Sequence, residues 1–339
     1  MANVNRIPYI DVFRGLLMLL VVLGHSIGNT DEIMNKIILS FHMPAFFMLS
    51  GMCFHPKTSD YNSLMLLKKK SKGLLWPYIT FSLISVLLYW LLLAGTSKDK
   101  GVTVAQTLIG ILWNDGQYGT IVTGGFWFIY DLIWITIIHV LAKNINRNIQ
   151  IALTTISFVS LYLYKADFYF SVEIMRISAG YMFFLLGDLL VANKAEEKIE
   201  KMIRGGYLYL LFSIIFMAIT IVTCLNNDSI LMYDNRYGCI LSFLLSSLCG
   251  TASIYLLSRC IATNDFIEFV GRNTIPILQM HFFVLMMTHV LWHKVMPTAD
   301  NMAFPTYLLH FIIAIILCCI YSKIINKYFP WMLRWNYKK

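Results

Sequence analysis

The first apolar run of the chain contains three acidic or basic side chains, those of Asp11, Arg14 and His25. A helix turns by about 100° per residue, so the spacing of Arg14 and His25 brings both side chains to one face, about 16 Å apart along the axis. An imidazole can take the proton from a hydroxyl group that attacks an acyl carbon, and a guanidinium binds phosphate through paired hydrogen bonds. The pattern suits group transfer from a phosphate-bearing donor, and Asp11, one turn before Arg14, is placed to pair with it.

Further candidates lie in later segments. His42 is close to the start of the second apolar run, His281 lies in a run near the C-terminus, and a lysine cluster containing Lys69 and Lys72 precedes Trp76. Each residue also has a structural interpretation. A buried histidine often only bonds to a neighbouring helix, a cation near a membrane surface can extend to water, and lysines between apolar runs set topology. The residues alone leave both interpretations open.

Other charged residues within apolar runs are assigned no function by the sequence. For Asp131 and Asp188 we expect local hydrogen bonds, and Glu173 and Arg176, one turn apart, predict an ion pair. We expect structural roles for the remaining histidines named here, which are His139, His289, His293 and His310.

The composition is that of a membrane protein. Of 339 residues, 58% are hydrophobic and 13% are charged, and the mean hydropathy is +0.66, whereas a soluble domain has about 25% charged residues. The net charge of +9 is spread over short clusters between apolar runs, which argues against a nucleic-acid surface. Seven cysteines without a CxxC pair predict neither a disulfide framework nor a metal site.

Apolar runs of about 20 residues predict membrane-crossing helices. Ten such spans lie near residues 8–28, 36–54, 73–95, 125–142, 149–165, 174–192, 206–225, 238–259, 274–292 and 304–324, and the short run 103–113 predicts an interfacial or re-entrant piece. With both termini in the cytoplasm, 19 lysines and arginines fall inside and seven outside, the seven being Lys36, Lys98, Lys100, Lys165, Arg176, Arg236 and Lys294. This bias follows the positive-inside rule. The sequence therefore predicts one all-α, polytopic membrane domain over residues 1–339.

Several motifs resemble those of the acyltransferase 3 family of membrane acyltransferases, especially its fucose 4-O-acetylase branch. The strongest are Arg14 and His25 with ten residues between them, followed by the segment Phe41-His42-Met43-Pro44-Ala45-Phe46-Phe47. Weaker similarities are Phe126-Trp127-Phe128-Ile129, the glycine-bearing segment 180–187, and Gly271-Arg272-Asn273 followed by His281. The family's Arg-x-x-Arg pair corresponds here to Lys69 and Lys72, and lysine does not reproduce the planar fork of arginine.

The resemblance implies an O-acyltransferase of the plasma membrane that moves acetyl from cytoplasmic acetyl-CoA to a hydroxyl of a surface or lipid-linked glycan. Acetyl-CoA then acts as a co-substrate, with no permanently bound cofactor, and the partners are the glycan acceptor and membrane lipids, not nucleic acid. Because the chain ends about 15 residues after its last predicted span, we expect it to act alone or with an accessory protein that completes delivery. The implied roles are catalysis by His25, Arg14 and His42, donor binding by Arg14, Lys69, Lys72 and Trp76, and acceptor binding by Asp11, Trp127 and His281.

Two other classes are compatible with the composition. A transporter or flippase for an anionic or glycosidic substrate also needs many spans and intramembrane charge, but it would favour paired broken helices in two matching halves, which the sequence does not display. A sensor or structural subunit would tolerate substitution of Arg14, His25 and His42.

Overall fold

The fold is seen in a computed structural model that describes residues 7–28, 32–54, 63–92, 101–112, 124–145, 147–165, 172–203, 205–228, 230–295 and 304–333. The described chain is helical, and its one β pairing is an isolated bridge between Leu231 and Arg236. The helices are α1 (Pro8–Ile27), α2 (Glu32–Met52), α3 (Ser63–Leu92), α4 (Val104–Leu112), α5 (Trp127–Ile145), α6 (Arg147–Lys165), α7 (Val172–Ala192), α8 (Ala195–Met202), α9 (Gly206–Leu225), α10 (Ile240–Ile261), α11 (Asp265–Arg272), α12 (Thr274–Val295) and α13 (Phe304–Tyr328). Three 3₁₀ turns lie at Gly124–Phe126, Met232–Asp234 and Pro330–Met332.

Eight of the described helices are long and apolar enough to cross a membrane. They match eight of the ten predicted spans, and the other two predicted spans fall on α5 and α6, whose apolar parts are the shorter segments Trp127–Ala142 and Asn148–Val159. The run at 103–113 forms α4, which has nine residues and is too short to span a bilayer. The prediction of an all-α polytopic membrane protein is thus confirmed, while the placement of its termini in the cytoplasm stays a prediction.

Helix α1 lies at the centre of the bundle, packed against α2, α10, α11, α12 and α13. Its crossing with α11 is close because both helices present a glycine there. A Cβ added to Gly271 would overlap the Asp11 carbonyl oxygen, and one added to Gly15 would overlap the Ile267 carbonyl oxygen. The small residues let the two backbones touch, as is usual where membrane helices pack tightly.

Helix α2 contains a proline and still has its backbone satisfied. Pro44 has no N–H, so it leaves the Ser40 carbonyl without its usual helical donor. The Ser247 hydroxyl of α10 donates to that carbonyl at 2.7 Å. Farther along, α2 crosses α7 at Gly51 and Gly187, where an added Cβ would overlap the Phe184 and Met48 carbonyl oxygens. These contacts fix α2 between α7 and α10.

Two polar pairs between helices involve residues for which only local bonds were expected. Arg176 pairs with Asp131 of α5 through two parallel hydrogen bonds, with Nε–Oδ2 at 2.6 Å and Nη2–Oδ1 at 3.0 Å. Asp188 lies 3.4 Å from His139 Nε2 on α5. Both carboxylates therefore join α5 to α7, and sequence spacing alone cannot predict such contacts between helices.

Candidate active site

A cavity of about 1250 Å³ runs through the helix bundle beside α1. Arg14, Met18, Val21 and His25, which follow one face of α1, line it. This confirms that the spacing of Arg14 and His25 brings both to one side of the helix. The remaining wall comes mainly from α2, α5, α12, α13 and the Met232–Asp234 turn.

The cavity has a basic end, formed by Arg14, Arg272, Lys323 and Lys327. Asp11 lies between the two arginines, accepting from Arg14 Nη1 at 3.4 Å and from Arg272 Nε at 3.0 Å. Arg272 also pairs with Glu268. The hydrogen bond to Asp11 raises the pKa of the Arg272 guanidinium, so this cation stays charged at any physiological pH. These four cations outnumber the nearby carboxylates of Asp11, Glu268 and Asp265, and the excess of positive charge favours an anion such as phosphate.

The aromatic end of the cavity is formed by Trp127 and Tyr233. Helix α7 shows how far this end lies from the basic end. Near Gly187, α7 touches the end of α2. There the Cys53 thiol contacts Arg14 Nη2 at 3.5 Å, so this part of α7 is beside the basic end. The start of α7 lies roughly 20 Å farther along that helix. There the Asn235 side chain donates to the Val172 carbonyl at 2.9 Å and so holds the loop that carries Tyr233. The two ends are thus separated by most of the bundle's length.

Two histidines line the cavity between these ends. His25 is the only exposed residue between Tyr9 and Ile27 of α1, and since it lines the cavity, its exposure is to that space. His42 is buried, with Nδ1 2.7 Å from the Ile38 carbonyl oxygen. A carbonyl can only accept, so in the neutral ring Nδ1 carries the proton and Nε2 keeps a lone pair. Each ring can therefore act on a bound hydroxyl group.

His281 lies behind His25, and is not among the described residues that line the cavity. The two ring centroids are 5.1 Å apart. His281 Nδ1 is 2.8 Å from the Leu278 carbonyl oxygen, which again leaves Nε2 as an acceptor. That Nε2 is buried and has no hydrogen-bond partner among the described residues. Among the described residues, the nearest imidazole whose N–H this nitrogen could accept is that of His25.

The other predicted site residues are divided between the cavity and its surroundings. Trp127 lines the cavity, while Asp11 holds the arginines without being one of the described lining residues. Trp76 Nε1 donates to the Trp331 carbonyl at 2.7 Å, and Lys72 is exposed; neither is among the described lining residues. The side chain of Lys69 lies outside the described residues.

Sequence analysis did not select several residues that line the cavity. At the basic end these are Arg272, Asn273, Lys323, Asn326 and Lys327, and at the aromatic end Tyr233. Arg272 and Asn273 belong to one of the weaker family motifs, which assigned them no role, and Lys323 and Lys327 contribute to the sequence analysis only as positive charges that set topology. The spacing of Lys323, Asn326 and Lys327 puts them on one helix face, which was a usable signal. Tyr233 lies in a loop with no such periodicity.

Comparison with protein families decides the class of the protein. The model of the acyltransferase 3 family, described as an acyltransferase domain, matches residues 7–323. The chain belongs to this family. It is a membrane acyltransferase, and the match includes α1 to α12 and most of α13. Neither curated proteins nor solved structures give a match, and membership of the fucose 4-O-acetylase branch stays a prediction.

Proposed function

We propose that this membrane acyltransferase transfers acetyl from cytoplasmic acetyl-CoA to a sugar hydroxyl of a surface or lipid-linked glycan, in the plasma membrane. The observation that carries the proposal is the single cavity that joins a basic end to two histidines and then to an aromatic end. A donor with phosphates at one end and a thioester at the other matches that order.

The basic end is the proposed binding site for the coenzyme A phosphates. Arg14 and Arg272 are both oriented by Asp11, so their remaining N–H groups are directed before a donor arrives. Arginine recognises phosphate through such a fork, and lysine adds a mobile point charge. Lys323 and Lys327 are exposed and supply that charge. For Lys69, Lys72 and Trp76 the proposed contribution to donor binding is made from outside the cavity, since Lys72 and Trp76 are not among the described lining residues.

His25 is the proposed general base. One of its ring nitrogens takes the proton of the acceptor hydroxyl while the hydroxyl oxygen bonds to the acyl carbon. The C–S bond then breaks, and the departing thiolate of coenzyme A receives the proton from the imidazolium. The products are an ester and a free thiol, and His25 is neutral again. His42, whose Nε2 can only accept, is proposed to hold the acceptor hydroxyl beside His25.

His281 is proposed to act through His25 instead of touching the acceptor. Its Nε2 accepts the N–H of His25, either directly as the site tightens around substrates or through water. This bond fixes which His25 nitrogen faces the cavity with a free lone pair. Asp11 is likewise proposed to orient Arg14 and Arg272.

The test is transfer of radiolabelled acetyl from acetyl-CoA into the glycan and glycolipid fraction of membranes. We expect His25→Ala to lower the rate by about 10²–10⁴-fold, the usual contribution of a general base. His289→Ala is the matched control, because His289 lies on α12 and is not among the described residues that line the cavity; its ring contacts His310, at 4.8 Å between centroids. Undiminished transfer by His25→Ala would remove the proposed base. Mass spectrometry of glycans from a deletion strain identifies the acceptor, because one acyl unit is then missing.

A further inference from the structure

Arg176 is fully buried in α7 and lies against two aromatic rings. Its Cζ is 5.1 Å from the ring centroid of Trp127 and 5.5 Å from that of Tyr233. The Asp131 carboxylate holds the guanidinium from α5 through two hydrogen bonds. Arg176 Nη1 is buried and has no hydrogen-bond partner among the described residues.

This arrangement is a costly way to join two helices. Removing two charges from water is unfavourable, and apolar residues of similar size often stabilise a core as well or better. The unpartnered Nη1 adds a further penalty. Helix packing alone therefore gives little reason for this pair. The pair does, however, fix the positions of two aromatic rings. Trp127 is the first residue of α5, and Tyr233 lies in the loop between α9 and α10.

Both rings face the cavity, whereas Arg176 is not among the described residues that line it. The ring centroids of Trp127 and Tyr233 are 5.8 Å apart and the ring planes are inclined by 54°. Two inclined aromatic surfaces form a shallow cleft. The neighbouring lining residues Leu231, Met232 and Phe128 are apolar, so this cleft lacks the charge that marks the basic end.

A pyranose ring has the surface that this cleft can bind. Its C–H faces pack on aromatic rings, while its hydroxyl groups point outward from the edge of the sugar. Aromatic side chains contribute a large contact area with few rotatable bonds, which lowers the entropic cost of binding. A sugar seated in the cleft can direct a hydroxyl toward His25 and His42, which line the same cavity.

We propose that Trp127 and Tyr233 form the subsite for the acceptor sugar ring, and that Arg176, held by Asp131, is the residue that positions both rings. The proposal rests on the proposed transfer to a sugar hydroxyl and adds where the sugar lies. Arg176 acts through the rings, so its loss weakens acceptor binding without changing the donor site at the basic end.

The experiment uses the full-length protein in detergent, radiolabelled acetyl-CoA, and a glycan and glycolipid extract from a strain lacking the gene. Each substrate is varied while the other is fixed, which gives one half-saturating concentration for the extract and one for acetyl-CoA. For Tyr233→Leu we expect the extract value to rise about tenfold, the loss of one aromatic contact, and the acetyl-CoA value to stay constant. Tyr233→Phe retains the ring and should restore most of the extract affinity.

Arg176 is tested with a double variant, Arg176→Met with Asp131→Leu, which removes both charges and leaves no buried ion alone. It should raise the extract value as Tyr233→Leu does. Tyr207→Leu is the control, since Tyr207 is exposed on α9 and away from the cavity. If Tyr233→Leu changes neither value, or both equally, the subsite is overturned, whatever the folding of the double variant. Wild-type protein that transfers no label to the extract would instead contradict the proposed function.

Discussion

At the scale of single residues, Arg14 is the cation of the basic end that α1 itself contributes. Its Nη1 contacts Asp11 and its Nη2 contacts Cys53, so the guanidinium is held on two sides. Arg14→Lys keeps the charge but removes the fork, and we expect the half-saturating acetyl-CoA concentration to rise about tenfold, equal to about 1.4 kcal/mol of binding free energy. Lys198→Ala, on exposed α8, controls for loss of a distant cation. Equal donor affinity in Arg14→Lys would show that charge alone is sufficient.

Substitution of His281 tests whether a residue outside the cavity controls the protonation of His25, which lines it. His281→Phe retains a ring between α12 and α1 but has no lone pair to receive the His25 N–H. We expect kcat to fall about tenfold, on the order of one hydrogen bond, with little change in either half-saturating concentration. The pH profile of kcat should shift as well, because the titration of His25 then lacks its partner. A variant that lost activity only through poor folding would keep the wild-type pH profile.

These residues also mark the limit of what the sequence predicts. The helical period was sufficient to place Arg14 and His25 on one face, because both belong to one helix. It did not predict that Asp131 would pair with Arg176, 45 residues away, or that His281 would lie behind His25. Such contacts depend on how helices rotate and cross. When a helix is apolar on all sides, its sequence does not indicate which face packs against which neighbouring helix.

At the scale of helices, the crossing of α1 and α11 determines the basic end. Gly271→Ala places a methyl group on the Asp11 carbonyl, so α11 must move and Arg272 must shift away from Asp11. Overpacking of this kind costs about 1–3 kcal/mol, and we expect a lower melting temperature together with weaker acetyl-CoA binding.

The matched control for that substitution is Gly73→Ala in α3, where an added Cβ has no heavy atom within 4 Å. In an open helix position alanine is favoured over glycine by about 0.5–1 kcal/mol, so this variant should melt at a slightly higher temperature. If both alanines had the same effect, close contact at Gly271 would not explain its loss of stability.

For the whole molecule, the cavity joins the two ends of the bundle, and the direction of the protein in the membrane decides which substrate reaches which end. The hydropathy of the sequence predicted every span that the structure describes as a helix, since length and apolarity are properties of each segment alone. The cavity was not predictable in the same way, because it is the space left between α1, α2, α5, α12 and α13 once they have packed.

Two native cysteines can report that direction. Cys53, beside Arg14, and Cys239, in the loop before α10, are both exposed and lie at opposite ends of the bundle. With the basic end in the cytoplasm, a membrane-impermeant maleimide added to intact cells should label Cys239 and spare Cys53, and permeabilised cells should show labelling of both. Cys53→Ser and Cys239→Ser assign each signal. Labelling of Cys53 in intact cells would put the basic end outside, where cytosolic acetyl-CoA has no access, and the proposed donor would then be wrong even though the acyltransferase family is not.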